Sequence, residues 1–363
     1  MQESLQLAKA ISSPARAEGA PSESHVRAGG EMSGASCDVI ITIDVEPDDA
    51  WTNHQNPSVR NVHELLRLHE VLKRCGARAT LLVTQRVIDD AACRETLKRL
   101  VSDGGAEVGT HLHPWETPPF AASKLDTRYA TFPHELPAYE FEAKLTHLTE
   151  SIAKHFGRPR SYRAGRWGFA AAHVGILEHL AYVADTSVIP RVDWRDTFGI
   201  PATEGGRGGA DYRLAPRAVY RQSYEDVCMP GVARLIELPV TVEFTRPVPA
   251  WMDRNYGRLP NAVHRMLRKV EWVRPVWATP AEEPLDRLLT LVERSMAERR
   301  GLFNIAFHSS ELMLDGSPTS RTVDEVDGMF DRLERMLTAL RGHGCSFTTM
   351  GDAAMRWIGT NPV

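Results

Sequence analysis

From Asp38 onward the sequence alternates short apolar runs with amphipathic stretches, and this rhythm restricts the chain more than any other feature. "DVIITID" (38–44) is a continuous apolar run of the kind that forms a parallel strand covered on both faces. "VHELLRLHEVLKRCG" then repeats its apolar residues at helical spacing and stops at a glycine. The same alternation continues through "RATLLVT", a helix near 89–102, "AEVGTHLH", a helix around 138–156, "SYRAGRWGF", a helix near 170–180 and "YVADTSV". It ends with "RLIELPVTVEF", a helix over 282–300, "FNIAFHSS", a helix over 323–341, "CSFTTM" and a short last helix. About seven strand–helix units predict an α/β chain folded as a (β/α) barrel, with its chemistry where the strands end.

The remaining stretches are read from composition. Residues 1–36, rich in Ala, Ser, Gly and Glu, are expected to be disordered, with Met32 a candidate start, and the barrel is expected over 37–358. The first residues lack the basic start and apolar run of a secretory signal. The segment after "HLHPW", "ETPPFAASKLDTRYATFPHELP", has the length of a functional rim or lid. Residues from about 189 to 280 read as an irregular insertion. Its "GGRGG" lacks the strand-to-helix context and the following Lys-Ser/Thr of a phosphate loop. A net charge of −4 leaves no electrostatic footprint for nucleic acid or an anionic membrane surface. No apolar run approaches transmembrane length. The five cysteines stand singly, without C-x-x-C, so neither a disulfide framework nor a structural zinc knuckle is indicated, and a reducing, cytoplasmic setting is expected.

Three strand ends carry polar residues suited to metal-assisted hydrolysis. "EVGTHLHPW" (107–115) places His111 and His113 two positions apart, on one strand face and about 6–7 Å from each other. Two ligands leave zinc underbound, since a catalytic site uses three protein ligands and an open position. "IDVEPDD" (43–49) sets Asp44 and Glu46 on a shared face in the same way. One carboxylate with two imidazoles is a zinc set, and a second carboxylate nearby can deprotonate bound water. "FNIAFHSS" ends in His308, placed to act as a general acid. Singly, each residue has an ordinary explanation as a turn former, a cap or a core histidine. Their shared position at one end of the strands favours a site.

These motifs resemble those of the NodB-homology polysaccharide deacetylases, carbohydrate esterase family 4, over residues 38 to about 355. "TIDVEPD" is similar to the first motif, which implies Asp44 as base and Glu46 as metal ligand. "EVGTHLHPW" resembles the second, whose two histidines are usually separated by three residues. Here the position four after His111 is Trp115, so the resemblance implies His113 as a substitute ligand, with His54 of "WTNHQNP" as its rival. "SYRAGRWGF" resembles the third motif and implies that Arg163, or Arg166 given a longer spacer, orients the base and that Trp167 walls a sugar groove. "YVADTSV" resembles the fourth, with Asp185 polarising the late histidine and Asp193 of "VDW" as rival. "IAFHSSEL" resembles the fifth, which makes His308 the proton donor and puts Glu311 beside the substrate. Trp115, Tyr129, Phe132, Trp167 and Trp194 are candidates for stacking on sugar faces, and Arg166 for binding substrate.

The resemblance implies a deformed (β/α)7-type barrel, a divalent metal, zinc, as cofactor and an acetylated sugar, oligosaccharide or polysaccharide precursor as substrate. The implied reaction removes an N- or O-acetyl group, in surface-polysaccharide assembly. Two other readings stay open. One is a metal-dependent or metal-free amidohydrolase acting on other carbon–nitrogen bonds from the same barrel. The other is a catalytically inactive glycan-binding or scaffold protein.

Overall fold

The computed structural model describes residues 37–50, 57–120, 130–197, 208–246, 248–260, 262–264, 266 and 275–362. The expectations for 1–36, His54 and Tyr129 lie outside the described residues. A curled, mostly parallel sheet forms the deformed barrel that the alternating sequence and the resemblance together lead one to expect. In spatial order it runs β10 (Leu302–His308), β1 (Asp38–Val45), β2 (Ala79–Val83), β3 (Ala106–Leu112), β4 (Ser161–Ala164), β5 (Ala184–Asp185), β7 (Ile236–Glu237) and β6 (Tyr220–Arg221). The start of β1 also pairs with β11 (Ser346–Thr348). The β6–β7 pairing is antiparallel, and the others in this sheet are parallel.

β1 shows why the sequence folds this way. All its residues after Asp38 are buried, which a strand can be only with both faces covered. Its alternate residues serve two cores. Val39, Ile41 and Ile43 belong to the main hydrophobic core, together with Leu65, Leu68 and Leu72 of the helix Leu65–Cys75 and Leu333 and Leu337 of the helix Val323–Gly342. Ile40 instead packs with Leu82, Met350, Ala353 and Ala354, the last three from the C-terminal helix Met350–Thr360. The two-residue period then carries Thr42, Asp44 and Glu46 along the Ile40 face toward the strand's C-terminal end. Helix boundaries follow local chemistry. Gly76 stops the first long helix in a left-handed conformation, φ +61°. Thr322 and Glu325 form a reciprocal capping box at the start of Val323–Gly342, with bonds of 3.2 and 2.9 Å.

The sheet departs from the sequence reading near its seam. "RLIELPVTVEF" is not one strand but β7 followed by β8 (Val242–Phe244), because Pro239 has no N–H to continue a ladder. β8 pairs with β9 (Pro275–Trp277) as a separate two-stranded sheet. The region expected to be an irregular insertion therefore supplies β6 and β7 to the main sheet. Between β7 and β8 the chain reaches β10 through individual bonds. The Thr241 N–H donates to the Asn304 carbonyl at 3.2 Å, and the Asn304 side-chain amide donates to Leu238 O at 2.9 Å and Thr186 Oγ1 at 2.7 Å.

One buried histidine makes stability depend on pH. His173, on the helix Ala171–His179, stacks on Phe141 with ring centroids 3.8 Å apart. Burial, helped by nearby His134, pushes its pKa down from 6.5 to about 3. The unfolded chain therefore takes up this proton near pH 6.5, whereas the folded chain resists until about 3. Stability contributed by neutral His173 is lost as pH falls through that window, at up to about 1.4 kcal/mol per pH unit. His173→Phe is predicted to lower the proton uptake on acid unfolding by about one. Urea unfolding at several pH values across the window measures it, and an unchanged slope would contradict the assignment.

Candidate metal centre

The ends of β1 and β3 bring three buried side chains together. One carboxylate oxygen of Glu46 and one ring nitrogen each of His111 and His113 all lie within 4.8 Å of one another. Glu46 Oε2 is 3.3 Å from His113 Nε2 and 3.8 Å from His111 Nε2. The opposite nitrogens are already occupied. His111 Nδ1 sits 3.1 Å from the Arg163 carbonyl, and His113 Nδ1 lies 3.0 Å from Glu116 Oε1. An acceptor at Nδ1 holds a proton there and directs Nε2 toward Glu46, the arrangement that orients metal-ligating histidines. Trp115 stacks on the His113 ring at 4.4 Å and braces it. The donor set, its convergence and its satisfied outer nitrogens fit a divalent metal ion.

The backbone that carries Glu46 is pinned as well. Its N–H donates to Ser309 Oγ at 3.3 Å, and the Asn61 side-chain amide donates to its carbonyl at 2.9 Å. Asp48, two residues on, accepts from the backbone N–H of Asn61 at 2.9 Å and of Arg60 at 3.1 Å. It is a turn-forming carboxylate spent on the loop.

Asp44 occupies the same strand face one pleat earlier and has a different partner. The Arg163 guanidinium, fully buried, donates from Nη1 to Asp44 Oδ1 at 2.7 Å, from Nε to the Thr186 carbonyl at 3.1 Å and from Nη2 to Thr42 Oγ1. Asp44 Oδ2 lies 3.8 Å from His308 Nε2, as their direct register across β1 and β10 requires. Burial alone would raise the Asp44 pKa, but Arg163, His111 and His308 outweigh it and hold the carboxyl below its ordinary value. Glu46 is lowered against burial by His308 and His113. Burial lowers His111 to about 4. Burial would also lower His113 and His308, yet Glu116 and Glu46 lift the first to about 9, and Glu46, Glu311 and Asp44 lift the second to about 10.

Several expected residues are placed differently. Arg163 reaches Asp44. Arg166 instead donates to the Ala130 carbonyl and lies 4.0 Å over the Phe132 ring. Phe132, only 1% exposed, is thus a core ring and not a sugar platform. Trp167 is buried too. It lies beneath the Arg163 guanidinium at 4.7 Å and meets Trp277 edge-on at 6.0 Å, so it supports Arg163 in place of walling a groove. Asp185, expected to polarise His308, belongs to another cluster. It accepts from Ser187 Oγ at 2.6 Å and adjoins Glu237, its register partner on β7, and burial pushes both carboxyls up. The carboxylate at His308 Nδ1 is Glu311, at 3.5 Å. Glu311 also accepts the His308 N–H at 2.9 Å, and this buried residue faces the histidine, not solvent. Asp193 pairs with Arg195 and Arg213. Trp194 is partly exposed on the same loop.

Three residues at the site were missed in the sequence. Glu116 follows His113 by three in a turn, a spacing that carries its own signal. Thr42 was legible as the next residue down the Asp44 face. Asn304 had no local signal, because its partners come from other strands.

No protein-family model and no curated protein matches the sequence. Solved structures do. A putative polysaccharide deacetylase from Mycobacterium smegmatis aligns over 92% of this chain and 94% of its own, at 14% identity and a TM-score of 0.53. A putative glycoside hydrolase/deacetylase from Parabacteroides distasonis aligns over 90% of this chain and 71% of its own, at 16% identity and a TM-score of 0.59. The likeness is one of fold, and the chain has the glycoside hydrolase/deacetylase fold.

The second-sphere contact leads to a prediction for metal affinity. Glu116→Ala is expected to weaken divalent-metal binding about 10- to 100-fold while the fold persists. His113→Ala is expected to weaken it nearly as much as His111→Ala. Competition with a chromogenic chelator measures all three variants. Native affinity in Glu116→Ala would mean that the carboxylate does not hold the His113 ring for a metal.

Proposed function

We propose that the protein is a metal-dependent hydrolase that removes an N- or O-acetyl group from a sugar or polysaccharide precursor. The observation that carries this reading is the buried Asp44, clamped by Arg163, standing between the Glu46, His111 and His113 trio and His308. The fold shared with a polysaccharide deacetylase supports the substrate class. Glu46, His111 and His113 would hold the ion, with zinc the choice that one carboxylate and two imidazoles favour. When bound, such an ion supplies the Lewis acidity that polarises an acyl oxygen and acidifies water.

The remaining chemistry belongs to the side chains. Asp44 is kept ionised and fixed by Arg163, so it accepts the proton of the attacking water as general base. The low basicity that Arg163 imposes on it is why an acidified water is needed. His308, whose carboxylate neighbours Glu311 and Asp44 favour its protonated form, supplies a proton to the departing amine or alcohol oxygen, which would otherwise leave as a strongly basic anion. Glu311 fixes the His308 ring from Nδ1, leaving Nε2 for that transfer. Arg163 acts through Asp44 as a positioning residue, and Trp167 under its guanidinium keeps it in place.

The two acidic residues on β1 are predicted to separate by experiment. Asp44→Asn should retain the metal and lose about 10²- to 10⁴-fold in turnover, because proton transfer is its role. Glu46→Gln should lose metal affinity. Acetate release from a panel of N- and O-acetylated saccharides, read beside metal content, makes the comparison. The opposite pattern, or full acetate release by chelator-treated, metal-free protein, would overturn the mechanism.

A further inference from the structure

The cysteines stand apart in the sequence, yet the parallel pairing of β1 with β11 brings two of them together. Asp38 registers with Ser346, so Cys37 and Cys345, one residue earlier on each side, continue the same register. The Ser346 N–H donates to the Cys37 carbonyl at 2.9 Å, which fixes that alignment. The two thiols are near enough for each to shift the other's ionisation; the Cys37 thiol donates to the Asp38 carbonyl at 3.6 Å and the Cys345 thiol to Met296 Sδ at 3.4 Å. Neighbouring strands lie about 4.8 Å apart. That falls within the roughly 4.4–6.8 Å Cα separation that a disulfide spans. Both residues are partly exposed, whereas Cys75 and Cys93 are buried. The Cys228 thiol donates to the Asp211 carbonyl at 3.3 Å.

We propose that Cys37 and Cys345 form an oxidative modification site, closing to an intramolecular disulfide by exchange with a low-molecular-weight disulfide. The Cys345 thiol gives up its proton, and the thiolate attacks one sulfur of the small disulfide, expelling the other as a thiolate. Cys37, deprotonated in its turn, attacks the Cys345 sulfur of the mixed disulfide and expels the second small thiolate. Two protein thiols are oxidised, one small disulfide is reduced to two thiols, and the expelled thiolates take up the two protons. The neighbouring Cys37 thiol lowers the Cys345 pKa, with His343 adding to the effect, so Cys345 is the first nucleophile. The link ties the start of β1 to β11, at the end of the strand opposite Asp44. It closes most of the chain into one loop and thereby restricts the unfolded state.

The test uses the full-length protein and glutathione disulfide. After incubation under native conditions, remaining thiols are alkylated in denaturant and the protein is digested without reduction. The expected result is the loss of two alkylatable thiols, a linked peptide containing Cys37 and Cys345, and a raised thermal midpoint that dithiothreitol reverses. Cys37→Ser is expected to stop at a glutathione adduct on Cys345. The peptide map needs no variant, so a misfolded mutant would not decide the matter. Retention of all five thiols by the treated wild-type protein would overturn the proposal. So would stable glutathione adducts on both residues without the linked peptide.

Discussion

The buried pair of Arg163 and Asp44 is the interaction on which the rest of this molecule depends. A guanidinium with no solvent exposure needs its donors satisfied, and here the partners come from one strand and the segment beyond another. Asp44 and Thr42 lie on β1, Arg163 itself on β4, and the Thr186 carbonyl just after β5. The Thr42 hydroxyl passes the connection to Asn304 on β10 at 3.0 Å, and Asn304 carries it to Thr186 and Leu238. A ring of hydrogen bonds thus links β1, β4 and β10 to the segment after β5. Removing one partner of such a pair leaves an uncompensated buried charge, at a cost of about 3–5 kcal/mol. The same geometry that secures the barrel fixes the position and ionisation of the proposed base.

Electrostatics at the strand ends follows from that arrangement. Asp44 and Glu46 are two carboxylates on one face, and buried like charges repel unless cations stand between them. Arg163, His113 and His308 supply that compensation. His111 stays neutral through burial and is already in the state a ligand needs. The outer carboxylates Glu116 and Glu311 each engage Nδ1 of one histidine and direct its Nε2 inward. The H-x-H spacing works here because a strand presents i and i+2 on one face, and Glu116 closes the turn behind the second ring.

The sequence made most of the fold legible, since runs such as "DVIITID" and "FNIAFHSS" can be buried only as parallel strands flanked by helices. It was poorest where tertiary contacts overrule local pattern. β5 shortens to two residues, and "RLIELPVTVEF" splits at Pro239. The convergence of Glu46, His111 and His113 was foreseeable from period-two alternation and from the shared end of the strands. Partner choice was not. Nothing local distinguishes Asp185, which meets Glu237, from a carboxylate that meets His308, nor tells that Trp167 lies under an arginine. Cys37 and Cys345 read as isolated thiols because their proximity exists only once β11 takes its place beside β1.

The most direct test of the account is a crystal structure of the zinc-loaded protein with anomalous data collected on both sides of the zinc absorption edge. The account predicts one strong anomalous peak bounded by a Glu46 carboxylate oxygen and by Nε2 of both His111 and His113, with Asp44 still on Arg163. A peak held by other residues, or zinc-loaded crystals with no anomalous density among these three side chains, would contradict it.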